Sequence, residues 1–354
     1  MKQWEQRIRL GLFWSIAFGL GSGIGGPAIA QERLVEIEVL ASPNAAADLQ
    51  HRWMEVLSQV GADRVRSRSS RGSIRPAVDE TEYGGTAIVR LRGKLDGRTL
   101  TFPGRKFSLN DRQSIANYVQ QMRDDGASVT LAEKKAFGLT SQQLVHVYQQ
   151  LGTPVDQTLD RNAGEMVREI LDRTGMKWEL DATARRALRS DATVSEELEG
   201  LSGGTALAAI LRPLGLVLVP HRNQGESTRL HIVDVRAADE HWPVGWPIEK
   251  PLSEYAPQLF EKQKIAIGDF PLDQALAAIQ KRVELPFLVD QNSLARAGIE
   301  LNQVRVSYAK EKVSYMVAIQ KLLSQTKPRM LAEMRIDENG KPFLWLSTSA
   351  PQNR

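Results

Sequence analysis

Two stretches of this chain, 109 residues apart, carry the same apolar rhythm: "LDRNAGEMVREILDRTGMKWELD", ending at Asp181, and "GDFPLDQALAAIQKRVELPFLVD", ending at Asp290. Aligned on those aspartates, Val167 coincides with Leu276, Ile170 with Ile279, Met176 with Leu285, Trp178 with Phe287 and Leu180 with Val289. The first two pairs stand three residues apart, as on one face of a helix. The last three alternate, as the buried side of a strand must. The match resumes downstream after a three-residue insertion in the second copy: Ser202 aligns with Ser314, Ala206 with Ala318 and Ile210 with Leu322. Each serine stands where an N-cap belongs, ahead of an apolar run at helical spacing. Both copies close on a hairpin pattern, through Asn223-Gln224-Gly225 in the first and Asn339-Gly340 in the second, where Asn-Gly is a strong hairpin signal. Each copy therefore predicts strand–helix–strand, strand–helix–strand–strand over about 80 residues, a workable size for a small self-contained domain.

The helix start Pro271-Leu272-Asp273-Gln274-Ala275-Leu276, followed by an apolar strand ending in Asp290, resembles the secretin and TonB short N-terminal (STN) domain. The resemblance covers Val155 to Val235 and Lys264 to Thr348, with Ala163-Gly164 standing where the second copy has Leu272-Asp273. It implies two helices held between small sheets, a place in the periplasm at a secretin channel or ahead of a TonB-dependent receptor, and the docking of other proteins. The chain as a whole is similar to large exported bacterial proteins.

Export is legible in the residues themselves. Lys2, Arg7 and Arg9 precede an apolar run of eleven, Leu10 to Leu20, and Ala28-Ile29-Ala30 closes a Gly/Pro-rich stretch. This is the layout of a cleavable signal, with cleavage expected after Ala30. A membrane span would need about 20 apolar residues. Gly21 to Gly26 imitates a dinucleotide loop but follows a signal core and precedes Pro27, which is the wrong context. With no cysteine in 354 residues, the exported chain has no disulfides and must rely on its cores.

The expected organisation is α+β: signal peptide 1–30, N-terminal βαββ (ferredoxin-like) domain 31–107, helical connector 108–150, STN-like repeat 151–238, linker 239–262 and STN-like repeat 263–350. In the N-terminal domain, Leu34 to Leu40 alternates apolar and acidic residues, and Trp53, Val56, Leu57 and Val60 mark one helix face. Ser108 is read as the cap of one connector helix ending near Gly126, and Thr140 with Gln143 as a capping box for the next.

From Arg64 to Lys106 there are eleven basic and four acidic residues. Arg64, Arg66 and Arg68, and again Arg90, Arg92 and Lys94, recur at period two, so each trio shares one face of a strand. Two readings follow: a cationic face for an anionic polymer, or cross-strand pairing with Glu36 and Glu38. Trp242 and Trp246, in the proline-rich linker, are candidates for packing between the repeats or for stacking on a ligand.

No catalytic, cofactor or metal motif is legible. His221, His231 and His241 lie ten apart but fall in a turn, a strand and a linker, without the close-spaced ligand pairs of a zinc site. Nucleic acid is not an expected partner of an exported chain with few aromatics beside its arginines. The leading expectation is a non-catalytic envelope protein that docks a protein partner or serves as a scaffold. The alternatives are a binding protein for an anionic envelope polymer and a hydrolase with dispersed catalytic groups.

Overall fold

In the computed structural model, which describes residues 33–41, 46–69 and 75–348, the alternating stretch Arg33–Ala41 is a strand, β1. The signal segment and its cleavage site lie outside the described residues. The chain divides into two compact units, Met1–Ala127 and Ser128–Arg354.

Unit one runs β1, α1 (Ala47–Gln59), β2 (Arg64–Ser69), β3 (Ala77–Tyr83), β4 (Thr86–Asp96), β5 (Thr99–Phe102), β6 (Arg105–Phe107) and α2 (Arg112–Leu131). One six-stranded sheet has the order β2-β1-β4-β5-β6, with β3 also paired to β4. β1 is parallel to both β2 and β4, and the remaining pairs are antiparallel. Val35, Ile37, Val39 and Ala41 of β1 and Val89, Leu91 and Leu95 of β4 are buried on one face. There they meet Trp53, Val56 and Leu57 of α1 and Ile115, Tyr118, Val119 and Met122 of α2. Phe102 stacks on Tyr118 with ring centroids 5.9 Å apart. Gly93 is required beneath these rings, since a Cβ there would stand 2.8 Å from Phe102 and 2.9 Å from Leu100.

Two expectations change in this unit. A ferredoxin-like sandwich splits its first βαβ with an intervening strand, whereas here β2 lies directly beside β1. β3 folds back on β4 through Gly84-Gly85 and so occupies the edge on the far side of β4. Ser108 does not cap the following helix. Asp111 does the local work: its carboxylate accepts the N–H of Ser108 at 2.7 Å and its carbonyl that of Ile115 at 2.9 Å. The stretch 108–150 divides between the units, because α2 packs into the first core up to Gly126, where φ is 77°. The next helix, α3 (Ser141–Leu151), begins with the expected Thr140–Gln143 capping box and packs into the second unit.

The first aligned segment of unit two runs α4 (Ala163–Arg173), β7 (Lys177–Leu180), α5 (Ala182–Ala187), α6 (Gly203–Leu211), β8 (Leu216–His221) and β9 (Arg229–Asp234). After β10 (Trp246–Pro247) and α7 (Leu252–Tyr255), the second runs β11 (Lys262–Pro271), α8 (Leu272–Val283), β12 (Phe287–Val289), α9 (Gln291–Ala297), β13 (Arg305–Ser314), α10 (Tyr315–Leu323), β14 (Met330–Ile336) and β15 (Pro342–Thr348). In both, the last strand is central: β9 is parallel to β7 and antiparallel to β8, and β15 is parallel to β12 and antiparallel to β14. The aligned aspartates do the same work. Asp181 caps α5 through Ala184 N–H at 2.6 Å, and Asp290 caps α9 through Ser293 N–H at 3.2 Å.

The segments differ where a strand pair is expected in each. β11 and β13 pair along their length in the second. In the first, only the two ends meet, as isolated bridges Pro154↔Ser202 and Asn162↔Thr193. Between them Thr158, fully buried, donates its hydroxyl to the carbonyl of Glu196 at 2.8 Å, while its N–H donates to the Glu197 carboxylate at 2.9 Å. These side-chain bonds take backbone groups that a ladder would use. Nor are the segments separate cores: Leu288, Phe343 and Trp345 of the second belong to the core of the first. Among the described residues the class is mixed α+β, with four small sheets and no barrel.

Candidate functional site

The register of unit one settles where its cations stand. Across β1, Glu36 lies between Arg64 and Arg90, Glu38 between Arg66 and Arg92, and Leu40 between Arg68 and Lys94. Since the odd-numbered residues of β1 face the core, all six cations share the opposite face, away from both helices. Lys106 joins them, because Lys94 pairs with Thr101 and Thr101 with Lys106. The turn at Pro103-Gly104 was the sequence signal for that hairpin, and the reading passed over it.

Part of this charge is neutralised within the sheet. Glu36 bridges Arg90 at 3.1 Å and Arg64 at 3.3 Å; Asp79 of β3 pairs with Arg92, and Asp96 with Lys94 at 3.0 Å. Of the cross-strand pairing expected with Glu36 and Glu38, the ion pairs of Glu36 are present, and Asp79 and Asp96 add two more. Arg66 and Arg68 are exposed and form no ion pair with any described residue. Seven cations face four carboxylates (Glu36, Glu38, Asp79 and Asp96), a surplus of three positive charges on an open sheet. The Arg64 side chain is 57% exposed and that of Arg90 is 45%. Same-face cations along one strand stand about 7 Å apart, and β2 and β4, with β1 between them, about 10 Å apart; both spacings are comparable to the roughly 8 Å Debye length at physiological salt, so the potentials of these groups overlap.

The two tryptophans come together in unit two. Trp242 is 1% exposed, stacked on Phe137 (5.8 Å) and edge-on to Trp246 (5.2 Å), with Tyr148 against both rings. Its indole N–H donates to the Glu338 carboxylate at 2.6 Å. A ring so enclosed has no face left for a sugar. It joins the segments instead, while Trp246 is half-buried on β10, paired to β14.

Two carboxyl groups that belong to no sequence motif lie where the segments meet. Glu338 of the second segment accepts the N–H of Thr205 at 3.1 Å and its hydroxyl at 2.9 Å. Glu196 of the first accepts the N–H of Val289 at 2.7 Å. Burial pushes both up to about 7, against the hydrogen bonds that favour their charged forms; Asp290 beside Glu196 adds to the rise. Such values suit general acid–base chemistry, and the space beside Glu196 is small. The cavity beside Glu196, lined by Arg212, Gln291 and Trp345, holds about 50 Å³. That is room for water, against the roughly 300 Å³ or more of a small-molecule site. Arg212 is itself committed, gripping the buried Asp290 with two bonds of 2.9 and 2.8 Å. Among the described residues, no group of His, Cys, Asp and Glu side chains is placed to hold a metal ion, and no helix is long and apolar enough to cross a membrane.

Comparison with protein-family models, with curated proteins and with solved structures finds no match.

Proposed function

We propose that this chain is an exported, non-catalytic envelope protein that binds an anionic cell-wall polymer through the open sheet face of unit one. One observation carries the reading: seven cations on three alternate strands, β2, β4 and β6, share a face that neither helix of the unit covers, and the carboxylates among them leave a positive surplus. A linear polyanion engages such charges together, whereas a single small anion meets only one or two. Export follows from the basic, apolar and small-residue order of the first thirty residues.

The test is sedimentation of the full chain with isolated cell-wall polymer at low and high salt, beside a variant carrying Arg66→Gln, Arg90→Gln and Arg92→Gln. Binding falls steeply with salt through screening, and the variant stays in the supernatant. Equal sedimentation of the two proteins at low salt removes the reading.

Protein docking is the second reading. What favours it is unit two: two segments of like element order, resembling STN domains, joined into one block by Trp242, Glu338 and the Arg212–Asp290 pair. A block of this kind suits a scaffold that presents one surface to a partner in the envelope. Crosslinking in intact cells tests it, and recovery of the chain free of any protein adduct counts against it.

A further inference from the structure

β11 and β13 form a two-stranded sheet with no third strand on either edge among the described residues. Their register sets Lys264 directly opposite Lys312 and Lys262 opposite Ser314, and the intervening pairs are Gln263 with Val313 and Ile265 with Glu311. Side chains alternate between faces. Ile265 and Val313 therefore turn into the second segment's core, and the three lysines turn outward together. Lys310 is exposed beside them, where the register shifts at a β-bulge.

Like charges directly opposite one another destabilise a strand pair. Where Arg229 stands opposite Lys177 it bonds Glu179 and Glu226, and at the far end of the ribbon Arg305, opposite Pro271, bonds Asp269. None of Lys262, Lys264, Lys310 and Lys312 forms an ion pair with a described residue. Glu311, the chain neighbour of Lys310 and Lys312, lies on the other face and accepts the Tyr308 hydroxyl at 3.2 Å. The repulsion is left standing on an exposed surface, and the first segment has no such ladder at the matching place.

We propose that this lysine face is a binding site for a linear phosphorylated polyanion, separate from the arginine face of unit one. Lysine ammonium groups bind phosphate as point charges. Successive lysines on one strand face stand about 7 Å apart and the cross-strand pair about 5 Å apart, so a chain of phosphoryl groups meets several at once. The same face carries no large apolar side chain among Lys262, Lys264, Lys312 and Ser314, which a membrane-inserting surface would require. The inference does not rest on the function proposed above, because these cations belong to the other unit.

The experiment titrates the full chain with inorganic polyphosphate at low salt. The parent carries Arg66→Gln, Arg90→Gln and Arg92→Gln, so that the ribbon is read without the arginine face. Adding Lys264→Gln and Lys312→Gln weakens binding about tenfold while the melt holds or rises as the repulsion is relieved, and Lys264→Arg with Lys312→Arg keeps binding within about twofold with its melt unchanged. Equal affinity of the glutamine pair and its parent overturns the proposal, as does a parent that fails to bind. Unchanged affinity with new aggregation of the glutamine pair also overturns it, assigning the lysines to guarding free strand edges. The same two lysine substitutions in the otherwise native chain separate the sites: weakening there, with no loss from the arginine substitutions alone, assigns polyphosphate to the ribbon and leaves the arginine face to its own sedimentation test.

Discussion

Glu338 accepts the backbone N–H of Thr205 from 133 residues away, and so the second segment caps a helix of the first. Asp337 beside it accepts the N–H of Ser202 at 2.9 Å. The N-terminus of α6 thus receives two acidic side chains where its unpaired N–H groups and dipole favour negative charge.

The pH dependence of stability follows from Glu338 and Glu196. Both stand at about 7 in the fold against 4.5 when exposed. A group raised on folding contributes stability that is complete below about 4.5 and is lost as pH rises through about 7. Thermal melts should therefore fall as pH rises from about 4.5 to about 7 and level off above that, and Glu196→Gln with Glu338→Gln should flatten that slope. An equal slope in the double variant would show that other groups set it.

Ile170 and Ile279, aligned in the two segments, are each 4% exposed. Truncating either to Ala should cost about 2–5 kcal/mol in denaturant melts, as for other large-to-small core changes. Because Leu288, Phe343 and Trp345 of the second segment pack into the core that holds Ile170, while Ile279 lies in the second segment's own core, each change should lower a single transition of unit two. A loss below about 0.5 kcal/mol is the signature of a surface site and would refute the shared register.

Gly93→Ala should destabilise unit one by about 1–3 kcal/mol, the usual range for overpacking. The new methyl meets Phe102 and Leu100, both in the core. An unchanged melt would mean that those side chains yield freely.

Intact mass of the protein recovered from its native compartment should begin at Gln31, after the small residues at 28 and 30. A chain still beginning at Met1 would replace export with anchoring.

The features legible in the sequence are those set by neighbours along the chain. Alternation placed β1, helical spacing placed the buried face of α1, and Thr140 with Gln143 announced the start of α3. The aligned pairs foretold Ile170 and Ile279 as core. Ser202 shows where local reasoning stops. It holds the N-cap position of α6, yet its hydroxyl makes no bond among the described residues, because charged acceptors from a distant turn take the N–H groups. Ser314, with no such turn against it, caps α10 itself. Sequence spacing likewise marked the six cations of the arginine face, but only pairing across strands brings Lys106 beside them and sets Lys264 against Lys312.

The cap on α6 also orders events in time. A ribosome adding about 5–20 residues per second delivers Thr205 on the order of ten seconds before Glu338, 133 residues later. From Trp242 onward, for the 96 residues that still separate it from Glu338, the first segment is synthesised but its helix end is bare and Trp242 lacks its acceptor. A nascent chain stopped before the Asp337–Lys341 turn should therefore remain open to protease in a segment whose own sequence is already complete.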